Sequence, residues 1–146
     1  MKLVCVGVPW VKHHPFWFKH GGSGDPHEFF ETLDGREKAI LLRAIKDYAA
    51  GEHINRDRGH EEGWDTPSLG GELVLFKYKV KGEVSRFYAV VHDQDSGRRS
   101  VIVHGFRGHQ SKRKEKDDPR ARAEKASAEE RVVQYFEWLE CQGAVQ

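Results

Sequence analysis

The sequence has only two cysteines, Cys5 and Cys141, and almost the whole chain separates them. They form no Cys-x-x-Cys spacing, so the sequence indicates neither a disulfide framework nor a structural zinc site. This cysteine usage is typical of a protein in a reducing compartment. We therefore expect a cytoplasmic location.

Long apolar runs are also lacking. The one apolar run near the start, residues 3–11, is interrupted by Pro9, is followed by Lys12 and has no small-residue cleavage site, so it predicts a β-strand rather than a signal peptide. No stretch approaches the length that a membrane span needs. We expect no membrane partner, and 146 residues suit a single domain over 1–146, with an extended N-terminal strand segment at 1–23.

The chain as a whole has no large excess of one charge, since its net charge is +1, but one region is strongly basic. Ten basic residues between positions 98 and 125 face only four acidic ones, and acids concentrate near residues 28–37 and 129–140. This asymmetry predicts a positive field on one side, as a polyanion-binding surface requires. The alternative is a solvated charged face.

Two short helices are predicted after the glycine-rich residues 21–24. Asp25 followed by Pro26 has the pattern of an N-cap and a first helical turn, and this helix should run through Leu33. Asp34 repeats the capping pattern for a second helix that ends at Gly51. We expect the two helices to form a hairpin on a sheet, followed by a long surface loop at residues 52–68.

Period-two alternation then predicts three hairpin-linked strands, beginning near residues 72, 85 and 101, with the third ending at Phe106. Adjacent hairpins favour an antiparallel sheet. Residues 108–118 are predicted to form a loop, and Pro119 to start a C-terminal helix; the alternative is a helix that is interrupted or capped again at Ser127. The fold class is therefore α+β.

The motifs of these strands occur in a familiar order. Leu69-Gly-Gly-Glu-Leu73 leads into the first strand, Arg86-Phe-Tyr88 lies in the second, His104-Gly-Phe106 ends the third, and basic residues and a Pro119 helix follow. This succession, over roughly residues 24–136, resembles the RelE superfamily, and most closely its phage-derived, HigB-like branch. The resemblance implies a small antiparallel sheet with an N-terminal helical hairpin and a C-terminal helix.

The resemblance also implies a function, that of the toxin in a type II toxin–antitoxin pair. Such toxins cleave messenger RNA, usually on the ribosome and without a metal or other cofactor, through attack of the ribose 2′-hydroxyl on the adjacent phosphate. A helix-turn-helix antitoxin would be the protein partner. The reaction needs a proton acceptor, cations at the phosphate and a proton donor for the leaving oxygen.

Arg86 matches the strand arginine of the family, and its guanidinium suits a phosphate clamp. The alternative is a cross-strand partner for Glu72 or Glu83. Alternation places Tyr88 and His92 on the same face as Arg86, a face that we expect to be open to solvent, and we include both in the catalytic set. Lys77 and Lys79 share a face of the preceding strand and could contact RNA phosphates.

His109 is the preferred general base, because it follows the third strand and a neutral imidazole accepts a proton near pH 7. Relatives carry lysines in this segment, and here RNA-binding roles would pass to Arg107, Lys112, Arg113 and Lys114. Alternation places His104 on a face with Ile102 and Phe106, which favours a half-buried structural histidine.

Two other hypotheses compete with the hypothesis of a toxin. The altered segment after Phe106 favours a catalytically silent relative that keeps the fold and binds RNA or a protein, and an unrelated small binding domain is a third class. The three histidines in residues 13–20 fit no metal-ligand spacing, so we expect no metal site. An aromatic-rich extension that packs on the sheet is the favoured interpretation of that segment, and a base-stacking surface is the alternative.

Overall fold

The computed structural model describes residues 1–8, 13–50, 60–66, 71–80, 82–94, 97–109 and 118–145. The chain runs in the order β1 (Lys2–Cys5), β2 (His13–Lys19), α1 (Pro26–Thr32), α2 (Gly35–Ala49), β3 (His60–Thr66), β4 (Gly71–Val80), β5 (Glu83–Gln94), β6 (Gly97–His109) and α3 (Pro119–Val145). Two helices lie between β2 and β3 and one follows β6, so helices and strands do not alternate one by one, which confirms the α+β class. No described helix is both long and apolar enough to cross a membrane.

The described strands form one six-stranded sheet in the order β1-β2-β6-β5-β4-β3. Strands β4, β5 and β6 form the antiparallel meander that the sequence predicts. The expectation of a wholly antiparallel sheet is wrong, because β2 pairs with β6 in parallel. The segment His13–Lys19 is therefore an internal strand between β1 and β6, and not an extension that packs on the sheet surface.

Helices cover both faces of the sheet. Helices α1 and α2 pack on one face, where Leu41 and Ile45 meet Phe76, Phe87 and Ile102. Helix α3 packs on the other, through the buried side chains Ala128, Val132 and Tyr135, against Leu73, Leu75, Tyr88, Val90 and Val101. The central strands are consequently buried on both sides, which explains why they carry apolar residues on both faces.

The N-caps of α1 and α2 are the residues that the sequence predicts. The Asp25 carboxylate accepts hydrogen bonds from the amides of His27 and Glu28, and Pro26 occupies the first helical position. The Asp34 carboxylate accepts from the Glu37 amide at 2.8 Å. Each cap lies at the predicted residue because it depends only on local chain geometry.

Three predicted boundaries are wrong. Strand β3 lies inside the predicted loop at 52–68 and pairs with β4, while residues 51–59 and 67–70 are outside the described part. Strand β6 continues past Phe106 to His109, so part of the predicted 108–118 loop is strand. Helix α3 runs through Ser127 without a second cap.

A β-bulge in β6 changes which residues share a face. Ala89 pairs with Ile102 but Tyr88 pairs with His104, so Val103 has no partner in the register. As a result His104 and Phe106 lie on the α3 side, while Ile102 lies on the α1–α2 side. The predicted common face of Ile102, His104 and Phe106 is therefore wrong, because simple alternation does not survive the bulge.

Candidate anion-binding site

A row of side chains crosses the sheet close to where β6 ends. Lys77 of β4 lies opposite Arg86 of β5, which lies opposite Phe106 of β6. The first turn of α3 brings a fourth residue, Arg120, to this row. We call Lys77, Arg86, Phe106 and Arg120 the Arg86 cluster.

The two guanidinium groups of the Arg86 cluster share one aromatic ring. The central guanidinium carbon lies 5.4 Å from the Phe106 ring centroid for Arg86 and 5.9 Å for Arg120. Both arginines also approach Gly108, where a Cβ atom would lie 3.7 Å from Arg86 Nη1 and 3.8 Å from Arg120 Cζ. The two guanidinium groups thus converge at Phe106 and Gly108, and guanidinium groups are suited to binding an anion such as a phosphate.

Burial changes the interpretation of Arg86. The residue is only 5% exposed, so the expectation of a solvent-facing position is wrong. The cause is α3, which covers the face that Arg86 shares with Tyr88. Glu72 and Glu83, the two alternative partners considered for Arg86, instead pair with Arg98 at 3.6 Å and with Arg107 at 3.5 Å.

The structure places Tyr88 and His92 in the core beneath α3. Tyr88 is 1% exposed and stands next to His104, with 6.3 Å between ring centroids. His92 is 6% exposed, and its Nε2 lies 2.8 Å from the hydroxyl oxygen of Tyr135. His92 is six residues from Arg86 along β5, or about 20 Å at ~3.3 Å per residue. The predicted grouping of Arg86, Tyr88 and His92 as one accessible catalytic face is therefore wrong.

Burial sets the protonation of this core pair. Removal from water lowers the pKa of His92, although the carbonyl of Asp93 opposes the shift. The same effect raises the pKa of Tyr135, against the opposing influence of Arg99. Both groups are consequently held neutral, as a buried hydrogen-bonded pair beneath a helix should be.

We expect the folded protein to lose stability as the pH falls below about 6.5, the unperturbed pKa of histidine. Because the folded-state pKa of His92 is lower, the unfolded chain takes up its proton first, and the free energy of unfolding decreases until the pH reaches the folded-state value. Urea unfolding of the parent and of His92→Gln between pH 5 and 8 measures this. The free energy of unfolding of the variant should depend less steeply on pH. The dependence that remains should come from His20, whose pKa is also lowered by burial. Parallel curves for the two proteins would contradict the assignment.

Arg107 belongs to the opposite face of the sheet. Its guanidinium donates to the carboxylate of Glu37 and to Ser85 Oγ and pairs with Glu83. Burial alone would lower its pKa, but the bond to Glu37 and the negative charges nearby outweigh burial and raise it. The predicted RNA-binding residue Arg107 is therefore separated from the Arg86 cluster and tied to α2.

The other predicted RNA-binding residues have different positions. Lys79 is exposed on β4, one pair beyond Lys77, and lies opposite Val84. The backbone of His109 closes β6 opposite Glu83, so His109 is the last residue of the strand and not the start of a loop; its side chain is outside the described part. Lys112, Arg113 and Lys114 also lie outside the described residues, in the segment between His109 and Asp118.

The basic residues that form one region in the sequence lie near opposite ends of β6. Arg98 and Arg107 are nine residues apart on β6, which corresponds to about 30 Å. Arg98 pairs with Glu72 and Asp93 at one end of the sheet. Within the described part of the chain, the other end carries Arg86 and Arg120, whose guanidinium groups meet at Phe106.

His104, for which the sequence predicts a structural role, is buried beside this site. His104 is 3% exposed, and its Nε2 lies 2.5 Å from Oε2 of Glu124 in α3. Its Nδ1 has no hydrogen-bond partner among the described residues, and its ring packs against Gly24. His104 is thus more buried than the half-buried position expected for it, and its partner on α3 could not be found without knowing how the helix docks.

The side chains of His14 and His20 do not converge. His14 Nε2 lies 3.8 Å from Cys5 Sγ, whereas the His20 ring lies 3.2 Å from the carbonyl oxygen of Val103. Within the described part of the chain, no group of three or more histidine, cysteine or acidic side chains is arranged to hold a metal ion.

The fold and the site define a three-layer α+β protein with two arginines gathered around an aromatic ring at one end of its sheet. No family model, curated protein or solved structure matches the chain.

Proposed function

We propose that this protein is the toxin of a type II toxin–antitoxin pair, a metal-independent endoribonuclease that cleaves messenger RNA, free or on the ribosome. The observation that supports the proposal is the Arg86 cluster, in which two guanidinium groups meet at Phe106. A phosphodiester is the anion whose shape and charge fit paired guanidiniums. A neighbouring aromatic ring adds a surface for a base.

In the proposed reaction, the ribose 2′-oxygen attacks the adjacent phosphorus and the bond to the 5′-oxygen breaks. The 2′-hydroxyl proton passes to a base, and the departing 5′-oxygen receives a proton, so that the products are a 2′,3′-cyclic phosphate and a 5′-hydroxyl. Arg86 and Arg120 would stabilise the negative charge that develops on the phosphate oxygens. Lys77, opposite Arg86, would bind the neighbouring backbone phosphate.

His109 remains the proposed base. It lies three residues after Phe106 on the same strand, at the end of the sheet where Arg120 enters. His92 is not proposed for this role, because its Nε2 is engaged with Tyr135 beneath α3. We further propose a cytoplasmic location and a helix-turn-helix antitoxin as the partner that restrains the activity.

Induced expression should arrest growth, and the purified protein should cleave single-stranded RNA in the presence of EDTA. We expect His109→Gln to bind RNA with parental affinity and to cleave it 10²-fold to 10⁴-fold more slowly, the usual range for loss of a general base. End-group analysis of the products distinguishes cyclic phosphates from other termini. Parental cleavage by His109→Gln would remove His109 from the mechanism, and metal-dependent or absent cleavage would reject the endoribonuclease.

A catalytically silent RNA-binding protein is the second candidate, and the burial of Arg86, Tyr88 and His92 favours it. Such a protein would bind RNA with an affinity that falls steeply as salt increases, because phosphate contacts release counterions. It would not cleave the RNA at any protein concentration. Binding and cleavage measured on the same RNA therefore separate the two functions.

A further inference from the structure

An open pocket of about 390 Å³ adjoins the Arg86 cluster and shares Phe106 with it. The pocket lies beside β6 beyond the last pair with β2, where the loop before α1 takes over the edge and Gly24 accepts a hydrogen bond from the Gly105 amide. Its walls come from that loop, from the first two turns of α1 and from Gly105 and Phe106. One pocket therefore connects the helical hairpin with the proposed phosphate site.

The aromatic walls of the pocket are held in place. The Phe29 ring stacks on Phe87 at 5.1 Å with an angle of 8° between the planes. Gly105 makes this stacking possible, since a Cβ there would lie 3.0 Å from both rings. Phe106 is fixed in turn by the two arginines. The Phe29 ring thus offers the pocket an apolar surface of the kind on which a nucleobase stacks.

The polar lining contains two carboxylates with different roles. Asp25 is buried and accepts bonds from the amides of His20, Gly21, His27 and Glu28, so it shapes the loop and has little capacity left for a ligand. Glu28 is exposed, and its carboxylate forms no hydrogen bond or ion pair with any other described residue. Glu28 is consequently the acceptor that the pocket can present to a ligand.

We propose that this pocket binds a guanine base of the RNA, with the Glu28 carboxylate accepting both donors of its Watson–Crick edge; the proposal rests on the proposed RNA-binding function. Guanine presents two parallel N–H donors, N1–H and N2–H, which match the two oxygens of a carboxylate. Adenine and cytosine each present one amino donor beside an acceptor nitrogen, and uracil presents one N–H between two carbonyls. An acceptor facing a carboxylate oxygen is repelled, so only guanine satisfies both oxygens.

The connection through Phe106 extends the inference to the whole nucleotide. A base bound in the pocket would lie next to Phe106, and its own phosphate could extend towards the guanidinium groups around that residue. The volume of the pocket is sufficient for a base with its ribose, within the range of small-molecule sites. Guanosine monophosphate should therefore bind better than guanosine, and inorganic phosphate should compete with it.

The test is an NMR titration of the full chain with the four ribonucleoside monophosphates. We expect guanosine monophosphate to bind about tenfold more tightly than the other three, as a bidentate base contact provides. Glu28→Gln should abolish this preference, because its amide NH₂ opposes the guanine N2–H donor. Glu31→Gln is the matched control, since Glu31 is an exposed carboxylate of the same helix that does not line the pocket.

The outcomes separate this inference from the proposed function. Equal binding of the four nucleotides, or an unchanged preference in Glu28→Gln, would overturn the guanine pocket even if the protein cleaves RNA. A guanosine preference that depends on Glu28 would support the pocket even if no RNA is cleaved, in which case the endoribonuclease alone is rejected.

Discussion

Replacing Arg86 with alanine is expected to reduce RNA cleavage by about 10²-fold to 10³-fold and to abolish growth arrest, because loss of one charge-stabilising donor in a transition state costs this much. Arg86 is one of only two described guanidiniums that flank Phe106, so the site would keep a single arginine beside that ring. Single-turnover cleavage of a short RNA, with protein in excess, measures the rate of the chemical step directly.

The burial of Arg86 requires a second variant, since a buried arginine also supports packing. Arg86→Lys keeps a positive charge and most of the stem, but it lacks the planar fork that binds phosphate bidentately. We expect it to fold with near-parental stability and to recover only part of the rate. Urea unfolding should accompany each kinetic measurement.

Arg98→Ala is the matched control for charge. Arg98 is a half-exposed arginine about 23 Å away along the sheet, since it lies opposite Asp93, seven residues from Arg86 on β5, and it pairs with Glu72 and Asp93. Arg98→Ala changes the net charge by the same amount as Arg86→Ala. We expect its cleavage rate to stay within twofold of the parental rate. If Arg86→Lys and Arg86→Ala both fold and both cleave RNA at the parental rate, Arg86 has only a structural role.

Replacing Asp25 with alanine is expected to lower the free energy of unfolding by about 2–4 kcal/mol, through loss of an N-cap and of the partners of further amides. The carboxylate accepts from the amides of His20 and Gly21 in the loop and of His27 and Glu28 in α1. The loop before α1 and the wall of the guanine pocket both depend on these bonds. Urea unfolding at pH 7 measures the change.

Asp34→Ala provides the comparison for this prediction. Its carboxylate accepts from the single amide of Glu37, so the expected loss is about 1 kcal/mol. A loss as small for Asp25 as for Asp34 would contradict the role assigned to Asp25.

The titration of Asp25 adds a second observable. Burial opposes ionisation, but the bonds from the Glu28 and Gly21 amides outweigh it and lower the pKa of the carboxyl. The stabilisation is therefore present above the unfolded-state pKa near 4 and is lost as the pH falls from there through the folded-state pKa. Asp25→Ala should remove this acid-dependent part of the stability.

Much of the local structure could be predicted from the sequence. The caps at Asp25 and Asp34 are encoded within three residues, because a side chain there reaches amides of its own helix. The alternation of β4 and β5 also predicts which side chains share a face, since successive residues of a strand point to opposite sides. Strand β3 was missed because its residues show no alternation and many charges, so its pairing with β4 is not visible in its own pattern.

The candidate site could be predicted only in part. The position of Arg86 across from Lys77 follows from the alternation and the hairpin. Alternation does not show whether a face of the sheet is accessible to solvent. The face of Arg86 was expected to be exposed, but α3 covers it. Arg120 and Glu124 escaped prediction for the same reason, because their roles depend on where α3 docks.

By itself, the sequence determined the α+β class, the two capped helices, the central meander and the shared face of Arg86, Tyr88 and His92, because each depends on interactions within a few residues or one hairpin. The tertiary structure alone decided three things. These are the parallel insertion of β2 beside β6, the bulge at Val103 that turns His104 towards α3, and the separation of Arg107 from Arg86 on opposite faces. Each depends on contacts between segments distant in the chain, and no local pattern of residues specifies such contacts.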